Sequence, residues 1–184
     1  MTYEIDIAGL KRELPLCRVT DELYIGAFVM FGDVELTVHC AAELLKRAPE
    51  YDYLIAPEAK AIPLLYEMAR QSGAEKYFLA RKGAKAYMTG VFEVEVRSIT
   101  TMHIQKLVID TADAEMIKGK KVLIVDDVIS TGESLHAMEE LVKRAGGIIA
   151  GKMAVLAEGD AKDRDDIITL APLPLFNADG SVKE

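Results

Sequence analysis

A parallel α/β fold is predicted for this chain, a central sheet flanked by helices, and three observations predict it. Short apolar runs alternate with amphipathic, helix-spaced segments from Asp33 onward, the order that builds βαβ units. Val122-Leu-Ile-Val125 is an unbroken apolar run, as in a strand buried on both faces. Three predicted strands finish in loops at 57–61, 81–85 and 126–134 that carry charged, hydroxyl or glycine residues. Open α/β sheets bind ligands beyond the carboxyl ends of their strands.

Taken in order, residues 1–12 read as a short charged helix, with Ile5, Ile7 and Leu10 as its apolar positions. From Glu13 to Phe31 the text is strand-like, and Gly32-Asp33 breaks it. Asp33 is a suitable N-cap for a helix over about 35–47, with Leu36, Cys40, Ala41 and Leu44 at helical spacing and Pro49 beyond its end. Tyr53–Ala56 is a strand, followed by a helix to about Ser72 that Gly73 closes. Tyr77–Ala80 is the next strand, and 91–110 alternates as a hairpin around a polar middle. Val122–Val125 then leads to a helix from about Glu133 to Ala145, stopped by Gly146-Gly147. Ile148–Leu156, Ile167–Leu170 and Pro172–Phe176 complete the strands, with a polar end expected to fray.

Composition narrows the function. The chain has 184 residues, half of them apolar, enough for one domain with a full core. Its net charge of −8 argues against a general nucleic-acid binder. No apolar run approaches the roughly 20 residues of a membrane span, and the N-terminus lacks the pattern of a secretory signal. Cys17 and Cys40 are few and far apart, so reduced thiols and a cytoplasmic location are expected. There is no Gly-Lys-Ser or Gly-Lys-Thr phosphate loop and no GxGxxG fingerprint.

The chemistry concentrates in Val122–Ser134. A strand, two carboxylates (Asp126 and Asp127), a small-residue turn and a helix start follow one another. Gly132 permits close backbone approach, and the first helical N–H groups lack intrahelical partners and sit at the positive end of the dipole. Ser130, Thr131 and Ser134 add hydroxyl donors beside Glu133. The two aspartates would repel a phosphate, so they suit sugar hydroxyls or a magnesium ion held indirectly. Phosphoribosyl pyrophosphate, with its terminal phosphate, diol and second anion, satisfies all these groups.

Val122–Ser134 resembles, over the whole motif, the signature of type I phosphoribosyltransferases. Glu58-Ala-Lys-Ala-Ile62 is similar to the Glu-Ala-Arg-Gly pyrophosphate loop of adenine phosphoribosyltransferases, with Lys60 in the arginine's place and Ala61 in the glycine's. Arg81-Lys82-Gly83-Ala84-Lys85 resembles the family's next pyrophosphate-holding segment. The resemblance implies a hood over the base from about 13–32 and 165–177, and a core over about 33–157. It also implies base contacts from Phe28, Val29 and Met30, and pyrophosphate contacts from Ala59, Lys60, Arg81, Lys82 and Lys85. Transfer of ribose 5-phosphate to a purine, adenine favoured, is the expected reaction, with Mg2+ as cofactor, a homodimer as assembly, and Asp126 and Asp127 as catalytic residues. Where the family carries a loop glutamate, this chain has Ser98–Gln105 with no acid and one histidine, His103. That difference and the altered 58–62 loop leave two alternatives, a non-catalytic phosphoribosyl pyrophosphate or nucleotide sensor, and transfer to orotate or uracil.

Overall fold

The computed structural model describes residues 1–97 and 104–183. The central sheet has five parallel strands in the order β10-β9-β8-β4-β5: β4 (Tyr53–Pro57), β5 (Phe78–Ala80), β8 (Lys121–Ile129), β9 (Ile148–Glu158) and β10 (Ile168–Leu173). Its middle strand is sandwiched, with alternate side chains entering opposite layers. Leu123 and Val125 join α1 (Val34–Arg47), α2 (Ile62–Ser72) and the N-terminal strands in one apolar layer. Val122 and Ile124 join α3 (Thr111–Ile117), α4 (Glu133–Arg144) and the hairpin of β6 (Val91–Arg97) and β7 (Ile104–Asp110) in the other.

The expected elements from Asp33 onward are present. Asp33 caps α1 by accepting the Leu36 N–H at 3.0 Å, and Gly73 ends α2 at φ +72°. The connections set where a ligand can enter. From β4 the chain crosses through α2 to β5 on one side, whereas β8 lies on the other side of β4 and leads on to β9 and β10. The order therefore reverses between β4 and β8, the crevice where open α/β sheets place ligands.

Four expectations are corrected. Residues 2–7 form a strand, β1, paired antiparallel with β2 (Leu10–Arg18), and not a helix. Ile5 and Ile7 are buried while Glu4 and Asp6 face out, a period of two. Ala8 and Gly9 turn the chain at φ 55° and 80°, and Asp6 Oδ1 accepts the Gly9 N–H. The acid pair does not follow the end of β8 but lies inside it, because β9 keeps pairing as far as Ile129↔Ala157. The polar tail is tied down: Lys183 N–H donates to the Leu175 carbonyl, and Asn177 and Ser181 close a turn. β1, β2, β3 (Tyr24–Gly26) and β11 (Leu175–Phe176) make a second, antiparallel sheet. Residues 168–173, expected within the hood, belong instead to the parallel sheet as β10.

Candidate functional site

The phosphate-suited turn is set by the end of β8. After Ile129 the chain passes through exposed Ser130 and Thr131 to Gly132, which caps α4 at φ +82° and ψ 1°. An L-residue is disfavoured at this φ, so glycine is the natural occupant. Gly132 has no side chain with which to cap α4, and the Thr131 hydroxyl accepts the Glu133 N–H at a long 3.5 Å. The amides of Ser134 and Leu135, in the first turn, have no intrahelical acceptor. These groups line a cavity of about 160 Å³ together with Asp126, Ser130, Thr131 and Gln105.

Inside the crevice the two carboxylates differ. Asp127 has a side chain 5% exposed, and Lys60 Nζ reaches its Oδ2 at 2.7 Å. The approach lacks the alignment of a hydrogen bond, so among the described residues Oδ2 is buried against a cation but accepts no directed donor. Asp126 Oδ1 accepts the Asp127 N–H at 2.8 Å. Burial, and then the neighbouring Asp127 charge, push the Asp126 carboxyl well above the usual carboxylate range. Among the described residues no group of three His, Cys, Asp or Glu side chains is arranged to hold a metal. A pair of hard carboxylate oxygens, one without a directed donor, does fit magnesium as the ion is usually held, by one or two carboxylates and the substrate's own oxygens.

The other two loops join this centre through ion pairs. Glu58 Oε2 lies 3.2 Å from Arg81 Nη2, and Glu58 Oε1 accepts the Lys82 N–H at 2.7 Å. Arg81 also donates to the Tyr87 hydroxyl at 2.8 Å, while its Nε is buried without a partner among the described residues. Lys82 and Lys85 are exposed. The Glu58–Ala59 peptide is cis, and Ala59 and Lys60 face solvent. Ala61 is fully buried at φ −77°. That is ordinary right-handed backbone, so the alanine at the family's glycine position carries no conformational penalty here. The structure thus links the loops at 57–61, 81–85 and 126–134 through Glu58–Arg81 and Lys60–Asp127.

The remaining candidates fall elsewhere. Phe28 is 4% exposed and packs in the apolar layer with α1 and α2, whereas Val29 is 52% exposed. Met30 is buried in the same layer. His103 and most of the acid-free loop lie outside the described residues. Two residues were missed. Gln105, at the start of β7, lines the cavity beside the 130–134 turn, and only the hairpin's return brings it there. Arg164, just beyond the 3-10 turn Gly159–Asp163, holds Nη1 within 2.7 Å of where a Cβ on Gly132 would sit. Its Nε and Nη2 are fixed by Asp166, each at 2.8 Å. An Arg-Asp-Asp run gave no sign of this.

Comparison with known proteins bears on the family and the fold. Residues 37–172 match the family model described as a phosphoribosyl transferase domain. An adenine phosphoribosyltransferase of Thermotoga sp. (strain RQ2) is 36% identical over 110 residues, covering 59% of this chain and 60% of that protein. An orotate phosphoribosyltransferase of Caldanaerobacter subterraneus subsp. tengcongensis is 30% identical over 111 residues, covering 60% of this chain and 47% of that protein. The chain therefore spans less than two thirds of the length of these relatives. The crystal structure of adenine phosphoribosyltransferase from Thermoanaerobacter pseudethanolicus superposes with a TM-score of 0.63 at 24% identity, covering 76% of this chain and 82% of that one. That likeness extends the shared fold to the parallel sheet and its flanking helices.

Proposed function

The chain belongs to the phosphoribosyltransferase family, and from that premise we propose that it transfers ribose 5-phosphate from phosphoribosyl pyrophosphate to a purine base, adenine favoured, releasing pyrophosphate. The observation that carries this reading is the joining of three strand-end loops at the sheet's reversal point by Lys60–Asp127 and Glu58–Arg81. An anion site, an acid pair and a set of cations then lie in one crevice.

In this reading the 130–134 turn takes the 5-phosphate on its amides and hydroxyls, and Gln105 closes one wall. Asp126 and Asp127 hold the ribose hydroxyls and stabilise positive character at C1 as the bond to pyrophosphate breaks. The electron pair of that bond leaves with the pyrophosphate oxygen. The base nitrogen donates its lone pair to C1, and its proton passes to solvent. Lys60, Arg81, Lys82, Lys85 and the Ala59 backbone receive the departing pyrophosphate, each charge-assisted bond contributing about 1.5–3 kcal/mol. A bound magnesium ion would neutralise charge on the diol and the leaving group, with Asp126 and Asp127 holding it through ligand or water. The N-terminal sheet acts as the hood, and Val29 and the backbone around it, in the segment that follows β3, offer the base a contact. The buried Phe28 ring anchors that segment in the apolar layer. Remote grip on the phosphate orients C1 toward the base.

The adenine phosphoribosyltransferase relative supports a purine acceptor. The orotate phosphoribosyltransferase relative keeps a pyrimidine acceptor as the second reading. We place the protein in the cytoplasm as a homodimer; no described helix is long and apolar enough to cross a membrane. The test is pyrophosphate release with magnesium and phosphoribosyl pyrophosphate, offering adenine, hypoxanthine, guanine, xanthine, uracil and orotate separately. Release with adenine alone supports the proposal, and release with orotate or uracil alone supports the second reading. Tight binding with no release from any base would make the protein a sensor.

A further inference from the structure

Lys60 is where this chain departs from the arginine its relatives' loop suggests, and it does not extend toward the neighbouring cations. Its ammonium lies 2.7 Å from Asp127 Oδ2, with the lysine side chain 50% exposed and the aspartate 5% exposed. One end of the pair is fixed in the crevice and the other is open to solvent. Glu58, two residues away, is already occupied by Arg81 and the Lys82 N–H, so it does not compete for the lysine. Charge counting explains what the contact does. Asp126 and Asp127 together carry up to two negative charges in a part-buried strand, and Lys60 offsets one of them. A lysine is a compact point charge on a flexible stem, able to leave one partner for another without losing a forked grip.

We propose that Lys60 is a displaceable internal counter-ion: it occupies Asp127 until an incoming pyrophosphate group draws it off, so a divalent cation enters the acid pair together with that ligand and not before it. The proposal rests on the phosphoribosyl pyrophosphate reading of the site. Transfer of Lys60 to the pyrophosphate leaves the carboxylates uncompensated at the moment the metal arrives to balance them. The lysine therefore couples metal entry to anion entry through one side chain.

The signature is a pair of opposite effects from one substitution. Lys60→Met removes the charge and keeps most of the apolar stem. Mn2+ binding to the protein alone, followed by electron paramagnetic resonance, should tighten roughly tenfold or more in Lys60→Met, given the size of a close charge–charge interaction. Magnesium-pyrophosphate binding, followed by calorimetry, should weaken roughly tenfold or more in the same variant. Lys60→Arg should keep Mn2+ binding as weak as in the wild type. Should Lys60→Met fail to fold, Asp127→Asn gives the complementary measurement. It frees the lysine and should bind metal-free pyrophosphate more tightly, and unchanged affinity there overturns the proposal. Mn2+ affinity that stays level or falls in Lys60→Met, or pyrophosphate affinity that does not change, also overturns it, since a merely structural lysine would weaken both. A wild-type protein that does not bind magnesium phosphoribosyl pyrophosphate would instead refute the underlying reading.

Discussion

Replacing Gly132 by alanine separates two effects that the structure places on one residue. The residue sits at φ +82°, and a Cβ there would meet Arg164 Nη1 at 2.7 Å. The left-handed backbone costs an L-residue about 1–2 kcal/mol. Displacing a guanidinium whose other nitrogens are held by Asp166 costs in addition about one hydrogen bond, roughly 1 kcal/mol. Gly119 supplies the control, because it has φ +71° with nothing within 4 Å of an added Cβ. Gly119→Ala should therefore lose only the backbone part, lowering Tm by about 2–8 °C for a domain of this size. Gly132→Ala should lose more, and adding Arg164→Ala should recover the difference but not the backbone part. Urea denaturation of the three variants measures the stabilities, and calorimetry measures phosphoribosyl pyrophosphate affinity. Affinity should fall in Gly132→Ala and hold in Gly119→Ala. Equal stability of Gly132→Ala and wild type would refute the backbone argument, and undiminished affinity would refute the phosphate turn.

Further outcomes follow from other sites. Asp126→Asn keeps the acceptor for the Asp127 N–H while removing a buried charge beside another, so it should unfold at higher urea than wild type yet lose most turnover. Lower stability at neutral pH would contradict the picture of two crowded carboxylates. Glu67, nearly buried on α2, is held by Arg70 and Gln71, and the Arg70 guanidinium foremost pulls its carboxyl down from 4.5 to about 2. A depressed acid stabilises the fold above its unfolded pKa and loses that contribution as the pH falls through its folded one. Glu67→Gln should thus be less stable than wild type at pH 7, with the gap closing between about pH 4.5 and 2; thermal melts across that range would show a constant gap if the account is wrong. Asp33→Ala removes the α1 cap and the Arg12 pair at 2.6 Å, and should cost about 1–2 kcal/mol by denaturant titration.

Local signals were legible in the sequence, and pairings between distant segments were not. Asp33, the apolar stripe through Leu36, Cys40 and Leu44, and Gly73 mark α1 and α2 because caps and helical periodicity act within a few residues. The Val122–Ser134 motif was readable for the same reason, since strand, turn and helix start are contiguous. β1 was misread because charges flanking Ile5 and Ile7 mask a two-residue alternation, and the deciding feature is the Ala8-Gly9 turn. α3 was not anticipated: it has seven residues and depends on an Asp110 cap. The mutual contacts of Lys60 with Asp127, of Glu58 with Arg81, and of Arg164 with the Gly132 turn arise from strand order, which no local pattern encodes. Whether alanine fits at position 61 depends on a backbone angle that the sequence does not reveal, and φ −77° accepts it.

The central claim is transfer of a phosphoribosyl group, and phosphorus NMR of a single reaction mixture follows it directly. Protein, magnesium, phosphoribosyl pyrophosphate and adenine are mixed, and the signals of phosphoribosyl pyrophosphate, nucleoside monophosphate and pyrophosphate are recorded together over time. The account predicts that nucleotide and pyrophosphate grow in equal amounts, and that neither grows when adenine is withheld. A phosphoribosyl pyrophosphate spectrum that stays unchanged with adenine present, or pyrophosphate released without any nucleotide, would contradict it.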